Sequence, residues 1–148
     1  MKKLIRNSVF ETNSSSCHSI SIGKSDVYDS VTPNHNGIIE LFPMEFGWEQ
    51  EHYSDPYTKM SYLWIYIKDW CKHDEQEFMD TFQRVVCSHT GANSVIMLES
   101  SSTFYPWGYI DHQSVEDQNY HYLFQDDNLL KQFLFDSNSW LETDNDNH

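Results

Sequence analysis

Residues 55–71 read D-P-Y-T-K-M-S-Y-L-W-I-Y-I-K-D-W-C, and this segment decides the fold more clearly than any other. Asp55 is a capping carboxylate, and Pro56 follows at the first helical position, where the missing N–H of proline costs nothing. Apolar side chains then recur at helical spacing, at Met60, Leu63, Trp64, Ile67 and Cys71. Because these residues form one broad apolar stripe, the segment predicts a helix that packs on a sheet.

Two more helices are predicted further along the chain. Residues Asp74 to Glu77 read D-E-Q-E and place acidic side chains in a first helical turn, where the helix dipole favours them, and Gly91 is expected to end that helix. Asp126 and Asp127 begin a short third helix. Its apolar side chains share one face, at Leu129, Leu130, Phe133 and Leu134.

Alternating or fully apolar runs predict the strands. They are Lys3 to Phe10, Ser19 to Ile22, Gly37 to Phe42, Val95 to Leu98 and Trp107 to Ile110. Together with the helices they predict an α+β fold, a single small mixed domain over residues 1–142 with a sheet of about four to six strands, two main helices and a short third helix. Residues 143–148 read T-D-N-D-N-H and predict a flexible acidic tail.

The composition indicates a folded and strongly acidic protein. Hydrophobic residues make up 39% of the 148 residues and aromatic residues 16%, which argues against a disordered acidic chain. The formal net charge is −14, from 23 acidic and 9 basic side chains. A field of this sign repels phosphate backbones, so we expect no direct binding of nucleic acid, and it attracts basic protein surfaces. The alternative is that the acidity only keeps the protein soluble.

Neither a signal peptide nor a membrane span is expected. Arg6, Asn7 and Ser8 interrupt the apolar residues near the start, and no apolar run is long enough to cross a bilayer. The three cysteines follow no disulfide framework, so we expect reduced thiols in a cytoplasm.

A polar turn is predicted within Phe10 to Ile22, which reads F-E-T-N-S-S-S-C-H-S-I-S-I. Short hydroxyl and amide side chains compete with the backbone for hydrogen bonds and favour turns, and strand-forming residues flank them here. Such a turn can offer backbone N–H groups, hydroxyls and an imidazole to an anion or a polar ligand. The candidate ligand-binding residues are Glu11, Asn13, Ser14, Ser15, Ser16 and His18. The alternative is that these residues only make a good turn.

Residues 6–19 read R-N-S-V-F-E-T-N-S-S-S-C-H-S, and they resemble the N-terminal pattern R-x-x-V-F-E-T-N-S-S-S-x-H-S of a family of small bacteriophage and prophage proteins. Glu45 to Glu49 and Gly108 to Ser114 also resemble segments of these proteins. The resemblance implies a phage origin, and hence the cytoplasm of a bacterial host cell. It assigns no catalytic role to any residue.

Cysteine and histidine lie close together in the sequence at Cys17-His18, Cys71-Lys72-His73 and Cys87-Ser88-His89. If residues 74–89 are one helix, the last two pairs lie at its opposite ends, roughly 20 Å apart at the rise of an α-helix. They cannot then bind one zinc ion. We therefore predict no metal site and no cofactor.

Asp111 and His112 suggest a base and an orienting acid, but adjacent side chains of a strand point to opposite faces. A catalytic site would instead bring His112 across to His18 and the serine turn, with Glu11 or Asp111 as the acidic partner. Ser15, His18, Asp111 and His112 would then permit nucleophilic or acid–base chemistry. The alternative is that they are polar residues of surface loops.

Two classes of function follow. The first is a phage-encoded binding protein that docks on a basic, nucleic-acid-binding host protein, such as a defence nuclease or a transcription factor, and inhibits it. Aromatic side chains among carboxylates suit such a docking surface. The candidate partner contacts are Glu45, Phe46, Trp48, Glu49, Glu51 and Trp107. The second class is a small enzyme, or a nucleotide- or anion-binding module, built on the serine turn with Asp111 and His112. The sequence leaves the oligomeric state open.

Overall fold

The computed structural model of the chain describes residues 16–47, 50–100, 106–111 and 119–145. In these ranges three α-helices and seven strands form one small mixed domain, which confirms the predicted α+β class. The helices are α1 (Pro56–Trp70), α2 (Glu75–Thr90) and α3 (Asp127–Phe135), with a 3-10 turn at His121–Gln125. The strands are β1 (Ser16–Ser21), β2 (Ile38–Leu41), β3 (Met44–Phe46), β4 (Glu51–Tyr53), β5 (Ser94–Met97), β6 (Gly108–Ile110) and β7 (Trp140–Asn145). The strand predicted at Lys3 to Phe10 lies outside the described residues.

The described strands form three small sheets. β7 lies in the middle of an antiparallel sheet, between β1 and β4. β2 pairs with β5 in parallel, and β3 pairs with β6 in parallel. We predicted that α1 packs on a single sheet. It instead contacts strands of two sheets, β2 in one and β3 and β6 in the other, as well as the other two helices.

We predicted a flexible tail from residue 143, but the last strand continues beyond that residue. Thr143, which we expected in a flexible segment, lies in β7 and is fully buried. Its strand pairs with six successive residues of β1, so the backbone groups of this polar segment are satisfied by the ladder. The prediction of a tail is therefore wrong for residues 143–145, and residues 146–148 lie outside the described ranges.

α1 begins where the sequence predicted. The carboxylate of Asp55 accepts a hydrogen bond from the backbone N–H of Thr58 at 2.9 Å, which satisfies one of the free donors at the helix start. The predicted stripe at Met60 and Ile67 is fully buried. Burial also extends to Tyr62, outside the stripe, because α1 is covered on several sides.

The end of α2 and the start of α3 also lie at the predicted signals. Gly91 ends α2 with a φ of 81°, in the left-handed region that glycine adopts most readily, and its N–H donates to the carbonyl of Cys87. The carboxylate of Asp126 accepts hydrogen bonds from the backbone N–H groups of Asn128 and Leu129 at the start of α3. Local capping therefore accounts for these boundaries.

β5 differs from the central strand that its apolar run predicted. It pairs with β2 on one edge, and the side-chain amide of Gln83 occupies the other edge. The Nε2 of Gln83 donates to the carbonyl of Val95 at 2.7 Å, and its Oε1 accepts from the N–H of Val95 at 2.9 Å. A side chain of α2 thus takes the place of a neighbouring strand.

The buried cation of α1 is a feature that the sequence analysis did not predict. Lys59 is fully buried, and its Nζ donates a hydrogen bond to the carbonyl of Ser139 at 3.0 Å. Burial lowers the pKa of Lys59 to about 8, against the opposing effect of the carboxylates of Asp29, Asp55 and Asp136. The helix therefore carries a charged group into the core and connects it to the turn after α3.

Asp136, in that same turn, is a fully buried carboxylate with four hydrogen-bond donors. Its oxygens accept from the N–H and the hydroxyl of Ser25, from the N–H of Asp26 and from the N–H of Asn138. Burial alone would raise the pKa of Asp136, but these hydrogen bonds outweigh it and hold the pKa below its usual value. The carboxylate therefore joins the segment after β1 to the end of α3.

Replacement of Lys59 by Met should change how stability depends on pH. The pKa of Lys59 is about 8 in the folded protein and about 10.4 in an unfolded chain, so the unfolded state binds the proton more tightly between these values. Lys59 therefore makes the free energy of unfolding rise with pH between about 8 and about 10.4. Below about 8 the amine is protonated in both states, so it adds no pH dependence there. Urea unfolding of the wild type and Lys59→Met at a series of pH values measures the difference.

The matched control is Lys24→Met, which removes the charge of an exposed lysine. Its unfolding free energy should run parallel to that of the wild type at every pH. A Lys59→Met curve that also runs parallel to the wild type would contradict a lowered pKa for the buried amine.

Candidate functional site

His18 is the residue of the predicted polar turn whose surroundings are best defined. It lies on β1 and is fully buried. Its Nε2 is 3.2 Å from the carbonyl oxygen of Gly47, and its Nδ1 is 3.0 Å from the hydroxyl of Tyr62. A carbonyl can only accept, so Nε2 carries a proton and donates to Gly47, and in the neutral ring Nδ1 accepts from Tyr62. Both ring nitrogens are therefore engaged with protein groups.

Asp111 comes close to the same place from another strand. It follows β6, is 4% exposed and accepts a hydrogen bond from the hydroxyl of Tyr109 at 3.2 Å. Its backbone N–H donates to the carbonyl of Phe46 at 2.8 Å. Because Gly47 is the next residue, His18 and Asp111 contact adjacent residues of the chain. The structure thus places the ring of His18 and the backbone of Asp111, two residues of the catalytic alternative, against the adjacent residues Gly47 and Phe46.

The other residues of that group lie outside the described part of the chain. They are Glu11, Asn13, Ser14, Ser15 and His112. Ser16, which we expected in the turn, is instead the first residue of β1. The serine turn itself therefore stays a prediction.

A row of side chains crosses the three-stranded sheet at His18. Thr143 of β7 is paired with His18 on one side and with Glu51 of β4 on the other, and directly opposed residues project to the same face. The Oγ1 of Thr143 is buried and has no hydrogen-bond partner among the described residues. Glu51 ends the row in an exposed position. The row runs from a buried imidazole to a surface carboxylate, and the imidazole itself is not accessible to solvent.

The predicted acidic and aromatic docking surface is only partly exposed. Glu45 and Glu51 are exposed, as expected. Phe46 is fully buried, and its ring packs against those of Tyr53 and Tyr62 at centroid distances of 5.8 and 4.9 Å. The prediction of Phe46 as a partner contact is therefore wrong, because strand alternation turns it inward when Glu45 points outward. Trp48 and Glu49 lie outside the described residues.

Trp107, the other aromatic residue predicted to contact a partner, is half-buried. Its indole N–H donates to the carboxylate of Asp69 at 3.2 Å, and the Nζ of Lys68 is 5.9 Å from a ring centroid. Both of these residues belong to α1. The side chain therefore packs on the helix, and only part of its ring is left for another protein.

The cysteine and histidine pairs at either end of α2 lie apart from one another. Cys71 is buried, its Sγ is 3.6 Å from the Nε2 of His121, and burial raises the pKa of its thiol to about 12. His73 is exposed, and Cys87 lies near the far end of α2. Within the described ranges, no group of three or more His, Cys, Asp or Glu side chains is arranged to hold a metal ion.

A cleft that the sequence analysis missed lies between β2, the start of β3 and the first turns of α1. Its volume is about 530 Å³. Two large apolar side chains of its lining are exposed, Phe42 at 63% and Tyr57 at 42%. The signal was present in Gly37 to Phe42, because alternation that buries Ile39 and Leu41 turns Phe42 outward with Glu40.

The basic side chains of the described residues are mostly engaged. Lys68 pairs with Glu75 and Arg84 pairs with Asp127, each at 2.8 Å, and these are the two ion pairs seen in the described ranges. Lys59 is buried, and the Nζ of Lys131 lies 4.6 Å from the ring centroid of Tyr28. Glu40, Glu45 and Glu51 are exposed and have no ion-pair partner in this part of the structure, and the same holds for Glu77, Asp80 and Glu99.

Comparison with known proteins identifies no relative: no protein-family model, no curated protein and no solved structure matches this chain. None of the helices in the described residues combines the length and the apolar character that crossing a membrane requires. A function must therefore be argued from the residues themselves.

Removal of the Tyr62 hydroxyl should destabilise the protein. In Tyr62→Phe the buried ring of His18 loses its hydrogen bond to the Tyr62 hydroxyl, which costs about 1–3 kcal/mol of unfolding free energy. Tyr57→Phe makes the same chemical change on the same helix at an exposed position, and we expect a change within about 0.5 kcal/mol. Chemical denaturation measures both variants. Equal effects of the two substitutions would contradict the pairing of His18 with Tyr62.

Proposed function

We propose that this protein is an acidic, phage-encoded binding protein that docks on a basic, nucleic-acid-binding host protein in the bacterial cytoplasm and inhibits it. The observation that carries the proposal is the presence of exposed carboxylates at Glu45 and Glu51 with no cation paired to them in the described ranges. The phage origin rests on the resemblance of residues 6–19.

The charge balance supports an electrostatic mode of docking. The chain has a formal net charge of −14, and several of its few cations are buried or paired within the fold. The surface field is therefore more negative than an even mixture of charges would give. Such a field speeds encounter with a cationic surface and repels nucleic acid, for which the target's own binding site is shaped.

Glu45 and Glu51 are the carboxylates that we assign to the docking surface. They lie on β3 and β4, on either side of the connection that contains Gly47. Backbone pairing of these short strands to β6 and β7 limits how far the carboxylates can move. A fixed pair of charges loses less entropy on binding than charges on a mobile loop would.

Charge reversal at this surface should weaken capture of the partner. We expect the wild-type protein, fixed to a resin, to capture basic nucleic-acid-binding proteins from a bacterial host lysate at low salt and to lose them at high salt, since salt screens exposed charges. Glu45→Lys combined with Glu51→Lys should reduce capture at low salt roughly fivefold. Quantitative mass spectrometry of the bound fraction measures both effects.

The matched control is Glu77→Lys combined with Asp80→Lys, which changes the net charge equally at exposed positions of α2. It should reduce capture much less. Capture that does not depend on salt would contradict electrostatic docking. Equal losses in the two double variants would contradict the assignment to β3 and β4.

A second candidate is a small enzyme, or a nucleotide- or anion-binding module, that uses the Ser14–Ser16 turn with His18, Asp111 and His112. The observation that favours it is the contact of His18 and Asp111 with adjacent residues, Gly47 and Phe46. The full burial of His18 speaks against a direct catalytic role in this conformation.

This second candidate predicts that inorganic phosphate or ATP raises the melting temperature, because a ligand that binds only the folded state stabilises it. The rise should disappear in His18→Gln. His52→Gln is the control, since His52 is exposed on β4 and pairs across the sheet with Glu142, not in the row of His18. A melting temperature that neither compound changes, or a rise that both variants keep, would remove this candidate.

A further inference from the structure

We propose that the open edge of β2 binds an extended segment of a partner protein in which basic and apolar side chains alternate. This surface is separate from the carboxylates of β3 and β4, and the inference does not depend on the function proposed above. It rests on the backbone hydrogen bonds of β2, on the cleft beside it and on the charge of its lining.

The polar backbone groups of β2 point alternately toward its two edges. The N–H of Leu98 donates to the carbonyl of Leu41 at 2.9 Å, and the N–H of Asn93 donates to the carbonyl of Gly37 at 2.7 Å. Residues 37, 39 and 41 therefore direct their polar backbone groups toward the β5 side. Because these groups alternate along a strand, residues 38, 40 and 42 direct theirs toward the opposite edge.

Two of these three positions on the opposite edge already have partners. At Ile38 the carbonyl accepts from the N–H of Asn34 at 2.9 Å, and the N–H donates to the Oδ1 of Asn34 at 3.1 Å. At Phe42 the carbonyl accepts from the hydroxyl of Ser61 at 3.2 Å. Glu40, between them, has no hydrogen-bond partner for its N–H or its carbonyl among the described residues. At Glu40 the edge thus offers one donor and one acceptor side by side.

The cleft lies along this edge of β2. It is lined by Ile38, Glu40 and Phe42 of the β2 segment and by Tyr57 and Thr58 of α1, and its volume of about 530 Å³ is within the usual range of ligand sites. Phe42 and Tyr57 are 63% and 42% exposed, so exposed apolar surface lies beside the unpaired backbone groups of Glu40. This combination matches recognition by strand addition, in which the backbone gives affinity and pockets give specificity.

The charge of the cleft lining decides which kind of segment fits this edge. Among the described residues that line the cleft, Glu40 is the only charged one and none is basic. A residue paired with Glu40 across the edge would project to the same face, where an opposite charge is favourable. The segment should therefore carry Lys or Arg at that position, and apolar residues on either side of it can contact the wall of α1.

The same charge argues against two other occupants. A second copy of β2 paired about Glu40 would bring two Glu40 side chains together, and directly opposed like charges destabilise a strand pair. A nucleic acid would place its phosphates against an acidic cleft with no cation. An extended basic and apolar peptide is the occupant that the edge and its charge both favour.

The test uses two peptides of defined sequence, Ac-Val-Lys-Val-Lys-Val-amide and Ac-Val-Glu-Val-Glu-Val-amide, titrated into the ¹⁵N-labelled full chain and followed by NMR. We expect the lysine peptide to bind the wild type about fivefold more tightly than the glutamate peptide. The amide signal of Glu40 should move downfield and become protected from hydrogen exchange. In Glu40→Lys the order of the two peptides should be reversed.

Glu77→Lys is the control, because it makes the same change of net charge at an exposed position of α2 and should leave the order of the peptides as in the wild type. The proposal is overturned if neither peptide moves the Glu40 amide. It is equally overturned if Glu77→Lys reverses the order, which would assign the preference to overall charge. Protection of the Glu40 amide in a dimer without peptide would assign the edge to a second copy of the chain.

Discussion

The burial of Lys59 is the constraint on which the arrangement of this small domain depends. An ammonium group in an apolar core is costly unless protein groups solvate it, and here the carbonyl of Ser139 and the nearby carboxylates do so. Ser139 also accepts from the N–H of Gly23 through its hydroxyl, which in turn donates to Gln132. The turn after α3, the segment after β1 and the first turn of α1 are thereby held in one place around a single cation.

α1 gives the described sheets a common support. Tyr62 binds His18 of β1, Ser61 binds the carbonyl of Phe42 after β2, and Asp69 accepts from Trp107 just before β6. Each sheet is too small to be stable alone, since two or three short strands bury little surface. Their stability therefore comes from one helix that is buried on several sides. The hydrogen bonds of α1 to the strands explain why polar side chains such as Ser61 and Asp69 occur on a helix whose pattern is mainly apolar.

The sequence predicted the parts of the fold that local chemistry controls. Asp55, Gly91 and Asp126 set helix ends through contacts within a few residues. For the candidate site, the sequence indicated His18 and Asp111 as residues but not whether they meet, because that depends on the pairing of distant strands. β7 was missed because its polar residues have no strand pattern of their own and are ordered by pairing with β1 and β4. Phe46 and the cleft at Phe42 were missed because strand registers and helix positions decide which face is covered, and these are set by distant contacts.

The middle position of β7 has a consequence for how the protein forms during translation. β1 and β7 pair across about 120 residues of sequence, and β4 reaches the sheet only through β7. On the ribosome, β1 and β4 therefore emerge long before the strand that joins them, and neither can pair with β7 until residues 140–145 leave the exit tunnel. Closure of this sheet therefore requires contacts between residues far apart in the sequence, which form slowly.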